Sequence, residues 1–168
     1  LANTTGTRNI AIGNNALEDN VTNNNNVAIG YNSLREATAD NNTGVGWEAL
    51  KENTTGTNNV ALGVQASALN TTGANNTALG RVCLYDNTTG QQNTAVGSGV
   101  LANNTTASNN TGVGFEALTQ NTTGTVNVAI GNHALDANTT ANFNVAVGGY
   151  ALGANTTGAQ NIAIGAYA

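Results

Sequence analysis

The chain has 168 residues, of which only 8% are charged and 4% are aromatic, and its formal net charge is −5 with four basic residues. So few cations cannot neutralise a phosphate backbone, which excludes nucleic acid as an expected partner. No apolar run approaches the roughly 20 residues of a membrane helix, so we expect no membrane span in this segment. The single cysteine, Cys83, cannot form a disulfide within the chain.

A five-residue motif recurs ten times along the chain, with the pattern Asn, a β-branched residue, Ala or Gly, an aliphatic residue and Gly. Its glycines are 17 residues apart, except that Gly30 and Gly46 are 16 apart. A fixed period means that each repeat is one structural unit stacked on the next. We call this motif the pentad and number the coils 1 to 10 by its glycine: Gly13, Gly30, Gly46, Gly63, Gly80, Gly97, Gly114, Gly131, Gly148 and Gly165.

Within each pentad, β-branched and aliphatic residues alternate with a small residue, which predicts a short strand with one buried face. We expect the two aliphatic columns to form the core and the small column to face away from it. Because the small column is never polar and never large, something must pack closely against it. The candidates are another wall of the same coil or another chain, and we favour another chain. The residues concerned are Ala11, Ala28, Gly44, Ala61, Ala78, Ala95, Gly112, Ala129, Ala146 and Ala163.

The remainder of each coil carries a small residue, then Leu, then a turn segment of the type Asn-Thr-Thr-Gly. Asn, Thr and Gly favour turns because they bond nearby backbone or tolerate positive φ. The fourth coil has Ser67 where the others have Leu, with Leu69 two residues later, so we expect a bulge or a shifted register there. The 16-residue coil replaces the turn by the shorter segment 37–40.

The invariant first residue of the pentad predicts a ladder in which each Asn side chain bonds its neighbours in the coils above and below. Such a ladder satisfies polar groups that a corner would otherwise leave buried and unpaired. The residues are Asn9, Asn26, Asn42, Asn59, Asn76, Asn93, Asn110, Asn127, Asn144 and Asn161.

A 17-residue period is too short for a helical hairpin repeat and suits one turn of a β-solenoid. The sequence therefore predicts an all-β fold, a parallel β-solenoid (β-roll) of 17-residue coils. We expect residues 1–168 to form a single repeat domain of about ten coils. Stacking at about 4.8 Å per coil would give a rod on the order of 43 Å long. The chain begins and ends inside a repeat, so we expect it to be a fragment of a longer fibrous protein.

The pentad followed by Ala-Leu and an Asn-rich turn resembles the head repeats of trimeric autotransporter adhesins, the YadA-like β-roll family. It is also similar to Asn-Thr-Ala-Val-Gly repeats of phage and bacterial tail-fibre-like proteins, as in residues 93–97. The resemblance covers the whole chain and implies a left-handed coil and a trimer of chains packed side by side. The adhesin repeat is a few residues shorter than 17, and the Asn-Thr-Thr-Gly segment is extra.

No constellation of residues indicates an enzyme, and no cofactor or metal site is expected. The one histidine, His133, has no second histidine to complete a metal site and no nucleophile placed to use it as a base. Cys83 fills a slot that is small in the other coils, so we interpret it as an apolar filler. The acidic residues lie almost entirely at variable positions, which is typical of a solvated face.

Aromatic residues follow several pentad glycines and are the candidates for surface binding: Tyr31, Trp47, Phe115 and Tyr150, with Tyr167 beside the last glycine. They either stack on sugar rings or anchor a partner, or they cover a seam between chains or coils. The repeated threonine pairs, such as Thr54-Thr55 and Thr122-Thr123, raise ice binding as another function. Their Asn-X-Thr strings are also glycosylation acceptors in a eukaryotic secretory pathway.

From these observations we expect a structural and adhesive fibre segment of a bacterial surface adhesin or a phage-type tail fibre. It would space or present a receptor-binding region, outside the cell at a cell or virion surface. The expected partners are copies of the same chain, as a trimer or an end-to-end filament, and a host-surface receptor or glycan. The alternatives are a self-assembling extracellular filament subunit and an ice-binding β-solenoid with a threonine array.

Overall fold

The computed structural model of the chain describes residues 2–168 and shows the expected all-β solenoid, with no helix in that range. Ten three-residue strands form one parallel sheet in which each strand pairs with its sequence neighbours. The register places equivalent positions of successive pentads beside one another, as in Val60 beside Thr77 and Ala61 beside Ala78. The strands are β1 Ile10–Ile12, β2 Val27–Ile29, β3 Thr43–Val45, β4 Val60–Leu62, β5 Thr77–Leu79, β6 Thr94–Val96, β7 Thr111–Val113, β8 Val128–Ile130, β9 Val145–Val147 and β10 Ile162–Ile164.

The corners of each coil are built from residues with left-handed backbone conformations. In coil 8, for example, φ is 59° at Val126 before the pentad, 50° at His133 after it and 53° at the core Leu135. The pentad Gly131 has φ 139°, and a Cβ there would lie 2.5 Å from the carbonyl oxygen of Gly148 in the next coil. Only glycine fits that corner, because the backbone of one coil rests directly on the backbone of the next.

The small middle residue of the pentad points into the coil, and the aliphatic residues on either side of it point out. Ala61, Ala95 and Ala129 are fully buried, whereas Leu62 in the middle of the stack is 51% exposed. Our assignment of the two faces was therefore wrong. The candidate inter-chain residues pack against another wall of their own coil, as part of a core with Leu, the small slot and buried Asn. Ala11 is exposed and Ala163 half-buried because they lie in the first and last coils described.

The interior is too narrow for anything larger, which explains the two glycines of the small column. We call the third residue after each pentad glycine the small slot; it contacts the pentad of the next coil. Where the small slot holds Val100, the next coil has Gly112, and a Cβ on Gly112 would lie 2.4 Å from Val100 Cγ1. Where it holds Ser33, the next coil has Gly44, whose Cβ would lie 2.8 Å from the Ser33 hydroxyl. In both places, a larger side chain in the small slot of one coil is accompanied by a smaller residue in the pentad of the next coil.

The fourth coil contains no bulge or register shift, so that prediction was also wrong. Ser67 has φ 52°, as the equivalent leucines do, and its N–H donates to the Cys83 carbonyl at 2.9 Å. Its side chain is buried in the leucine column, and its hydroxyl has no hydrogen-bond partner. Leu69 lies two residues further, half-buried, and does not replace the missing leucine. Stacking against both neighbouring coils fixes the backbone path regardless of the side chain.

The coil that is one residue short loses that residue only at its turn. Thr38 still donates its N–H to the Thr54 carbonyl at 2.9 Å, and β2 and β3 keep the same register. Ala37 occupies the position of the turn Asn, so Asn20 Oδ1 in the coil before it has no hydrogen-bond partner. The strand side of the solenoid is therefore insensitive to the length of its turn.

Candidate functional site

The pentad asparagines connect successive coils through their side chains, although the bonds run to backbone atoms rather than mainly from amide to amide. The Asn93 N–H donates to Asn76 Oδ1 at 3.0 Å, and Asn76 Nδ2 donates to the Gly90 carbonyl at 2.8 Å. The same two bonds recur with the equivalent atoms from Asn9 to Asn144. Each Asn thus satisfies one donor and one acceptor of the next coil, which a buried corner requires.

A second column of asparagines, at the start of each turn, forms the amide-to-amide ladder. Asn87 Nδ2 donates to Asn70 Oδ1 at 2.7 Å, and Asn104 Nδ2 donates to Asn87 Oδ1 at 2.8 Å. We interpreted these residues as turn formers and missed the ladder, although they recur nearly as regularly as the pentad Asn. Their full burial also bears on glycosylation, because the acceptor amides of Asn53, Asn70 and Asn121 are inaccessible in the folded coil.

The outward side chains of β1 to β10 form a continuous flat surface, which we call the strand face. Every one of them is Ile, Val, Leu or Thr, and none is charged. In the middle of the stack Val60 is 39% exposed and Leu62 51% exposed, so this apolar surface is not covered by the chain itself. Because ten strands pair in register, like side chains follow one another at about 4.8 Å along its length.

The aromatic candidates separate into two groups along one edge beside the strand face. In the C-terminal coils, His133, Tyr150 and Tyr167 stack on one another with ring centroids 5.1 and 5.1 Å apart, and Phe115 meets His133 edge to face at 5.5 Å. His133 Nδ1 also lies 3.1 Å from Asp136 and 3.6 Å from Glu116. Each of these rings contacts at least one other, so the group connects coils 7 to 10, although Tyr150 remains 43% and Tyr167 79% exposed.

In the N-terminal coils, Tyr31 and Trp47 occupy successive positions directly after the pentad glycine, 47% and 43% exposed. No ring stacks on either of them within residues 2–168. Their backbones are fixed, since the carbonyls of Tyr31 and Trp47 accept hydrogen bonds at 2.9 and 2.8 Å from the next coils. The structure therefore does not bring the four surface-binding candidates together into one site.

Cys83 fills the small slot of coil 5, fully buried, with its thiol 3.0 Å from the Gly80 carbonyl. Burial raises the pKa of this thiol to about 12, because the interior disfavours the thiolate. Within residues 2–168, no three His, Cys, Asp or Glu side chains gather into a metal-binding group. The same range contains no helix of the length and hydropathy needed to cross a bilayer.

Comparisons with protein-family models, with curated proteins and with solved structures found no match to this chain.

Proposed function

We propose that this chain is a structural and adhesive fibre segment that assembles side by side with copies of itself through the strand face. The observation that carries the proposal is the exposed aliphatic surface of ten in-register strands. Two ranks of ten partly exposed side chains amount to a surface on the order of 1,000 Å². This exceeds the largest apolar patch of a typical monomer and matches what each partner contributes to a stable interface.

The composition of the strand face supports an interface rather than a solvated surface. Its positions vary freely among Ile, Val, Leu and Thr, yet ten coils contain no Lys, Glu or Asp there. An exposed sheet surface under no constraint accepts charge readily, and charge is what protects a sheet from association. The turn side of the solenoid, by contrast, is mainly polar, with an exposed second Thr in most coils; the large apolar residues exposed there are Val21, Val126 and Phe143.

The bonding of the interior supports the interpretation of the chain as a rigid rod. Two Asn columns and the parallel backbone bonds connect every coil to the next, so the unit lengthens without changing its cross-section. A rod of this kind, assembled from several chains, would space or present a receptor-binding region at a bacterial or virion surface. The resemblance to trimeric adhesin heads favours three chains.

Sedimentation velocity at micromolar concentration tests the proposal, with a defined oligomer as the expected result. Leu62→Lys and Ile130→Lys place charges on the strand face and should dissociate the oligomer, because a buried unpaired charge costs several kcal/mol (on the order of 3–5). Thr123→Lys, on the exposed turn, is the matched control and should leave it intact. A monomeric wild-type chain would contradict side-by-side assembly, and growth without limit would favour the filament.

Ice binding remains a second candidate because of one observation on the turn side. The first Thr of each pair donates its hydroxyl to the next coil, as Thr71 Oγ1 does to the Thr88 carbonyl at 2.9 Å, while the second Thr is exposed. The exposed hydroxyls therefore form a single file at the coil spacing. Thermal hysteresis and ice shaping by the purified chain would support this function, and their absence would eliminate it.

A further inference from the structure

We propose that the exposed aromatic column of Tyr31 and Trp47, continued by Val64, is a binding platform for a neutral oligosaccharide. The three residues occupy the same position in coils 2, 3 and 4, directly after the pentad glycine, and are 47%, 43% and 44% exposed. The inference rests on the proposed function and deepens it, since it gives the fibre segment a ligand class of its own.

The first argument is the state of the rings. His133, Tyr150 and Tyr167 stack face to face, as Tyr150 and Tyr167 do with an interplanar angle of 1°, so each of these rings has at least one face covered by a neighbouring ring. Tyr31 and Trp47 have no ring partner among the described residues, although they lie in neighbouring coils. A flat pyranose ring presents axial C–H groups, which pack favourably on the electron-rich face of an aromatic ring.

The second argument is a group of mutually bonded polar side chains around Glu48, the residue that follows Trp47. Glu48 accepts from Gln65 Nε2 at 3.2 Å, and Lys51 Nζ lies 3.9 Å from its other oxygen. Side chains held in this way can accept or donate a hydrogen bond at low entropic cost, which is how a binding site orients a hydroxylated ligand.

The third argument is size and charge. Two half-exposed aromatics and a valine offer roughly 300 Å² in all, well below the ~800 Å² that a protein partner needs. That area suits one or two sugar rings. Glu36, Glu48 and Glu52 form ion pairs with Arg35 and Lys51, so the local charge is close to balanced, while the net charge of the chain is −5. Neither offers the unpaired cations that an anionic glycan or a phosphate requires. A neutral glycan is the ligand that satisfies all of these constraints.

The rigid backbone gives the platform a fixed step. Tyr31 and Trp47 are separated by one coil, about 4.8 Å, because Glu48 N–H bonds the Tyr31 carbonyl and Gln65 N–H bonds the Trp47 carbonyl. These bonds fix the backbone positions of the two residues, so ligand binding requires no movement of the chain. A ligand therefore meets a preformed surface and pays little for ordering it.

Trp47 is the only tryptophan in the chain, so its fluorescence reports on this site alone. The wild-type protein is titrated to millimolar concentration with cellohexaose and hexa-N-acetylchitohexaose, which are neutral and have equatorial substituents, and with an oligogalacturonate as the anionic comparison. We expect a saturable change in Trp47 emission with at least one neutral oligosaccharide and none with the anionic one. No saturable change with either neutral probe overturns the inference.

Two variants locate the binding. Tyr31→Ala should weaken affinity about tenfold through loss of one stacking surface. Phe115→Ala removes an aromatic from the same position of coil 7 and should leave affinity unchanged. Equal effects of the two variants would overturn the inference, as would loss of the oligomer in Tyr31→Ala, which would make the pair part of a seam between chains. Because the titration reads Trp47 whether or not the wild-type chain associates, its failure is distinguishable from failure of side-by-side assembly.

Discussion

The two faces of the same three-residue strand obey different rules. The inward column tolerates only Ala and Gly, whereas the outward columns range from Thr to Leu but never carry charge. The inward limit is volume, as the pairing of Val100 with Gly112 demonstrates. The outward limit is charge, since Thr is accepted at four of these positions but no charged residue occurs. Within one strand, the buried column can therefore be distinguished from the columns reserved for a partner. The buried column is restricted in side-chain volume, and the outward columns are restricted in charge.

The sharpest test of this contrast introduces the same residue on each face. Ala129→Thr places a methyl and a hydroxyl into a fully buried site and should destabilise the fold by about 3 kcal/mol or more, from overpacking and an unpaired polar group. Val128→Thr, its neighbour on the outward face, reproduces what coil 7 has at Thr111 and should cost below about 0.5 kcal/mol. Urea unfolding followed by circular dichroism measures both. Similar costs for the two would refute the division into faces.

The compensation between coils is tested by a double-mutant cycle. Gly112→Ala should cost about 2 kcal/mol, because its Cβ meets the stiff Val100 side chain in a closed interior. In the Val100→Ala background the same change creates the Ala–Ala combination of Ala117 and Ala129 and should be nearly neutral. The expected coupling energy is on the order of 1–2 kcal/mol. Additive effects would show that the two residues do not share one volume.

The strands, their period and their stacking followed from the sequence, but the identity of the inner face did not. Alternation of side chains separates two faces without saying which is inside. The ordinary rule that aliphatic residues are buried fails in the pentad because the interior beside the strand has room only for Ala or Gly. A clue was present in the sequence: the small slots Ser33 and Val100 each precede a pentad with glycine at its centre, although Cys83 precedes Ala95. The left-handed φ of the leucines gave no signal, since Leu rarely adopts it.

The aromatic edge was recognised as a set, but its division into a stacked and an open group depends on side-chain geometry. Both groups follow pentad glycines, and the position after the glycine separates them in part: Tyr31 and Trp47 come first after it, whereas His133, Tyr150 and Tyr167 come second. That side chains at the second position stack between coils is seen only in the structure.

A smaller effect, a gain in stability, is expected at Ser67, where the buried column of leucines is interrupted. Ser67→Leu restores the leucine column between Leu50 and Leu84 and removes a buried hydroxyl without a partner. It should stabilise the fold by about 1–2 kcal/mol. Ser67→Ala, which removes only the hydroxyl, should gain less. A loss of stability in the leucine variant would show that neighbouring side chains already fill the slot.

The last effect concerns Cys83 and is absent at neutral pH, since it emerges only in alkali. Burial holds the pKa of its thiol at about 12, against 9.0 when unperturbed, so between pH 9 and 12 the unfolded chain releases a proton that the folded chain keeps. Stability should therefore fall as pH rises through this window, with no contribution below pH 9. Cys83→Ala, which has the residue of most other coils, should lack this component. Identical pH profiles for the two proteins would contradict it.

The coil that is one residue short has a practical consequence for altering the molecule. Most bonds around the missing residue are kept, including Asn26 Nδ2 to the Ala39 carbonyl at 2.9 Å and Asn42 N–H to Asn26 Oδ1 at 2.8 Å, while Asn20 Oδ1 has lost its partner. The bonds of Thr38 and Ala39 to the neighbouring coils therefore do not require a turn of standard length. Foreign peptides, labels or attachment tags inserted between Thr38 and Ala39 should be displayed without disturbing the coils on either side.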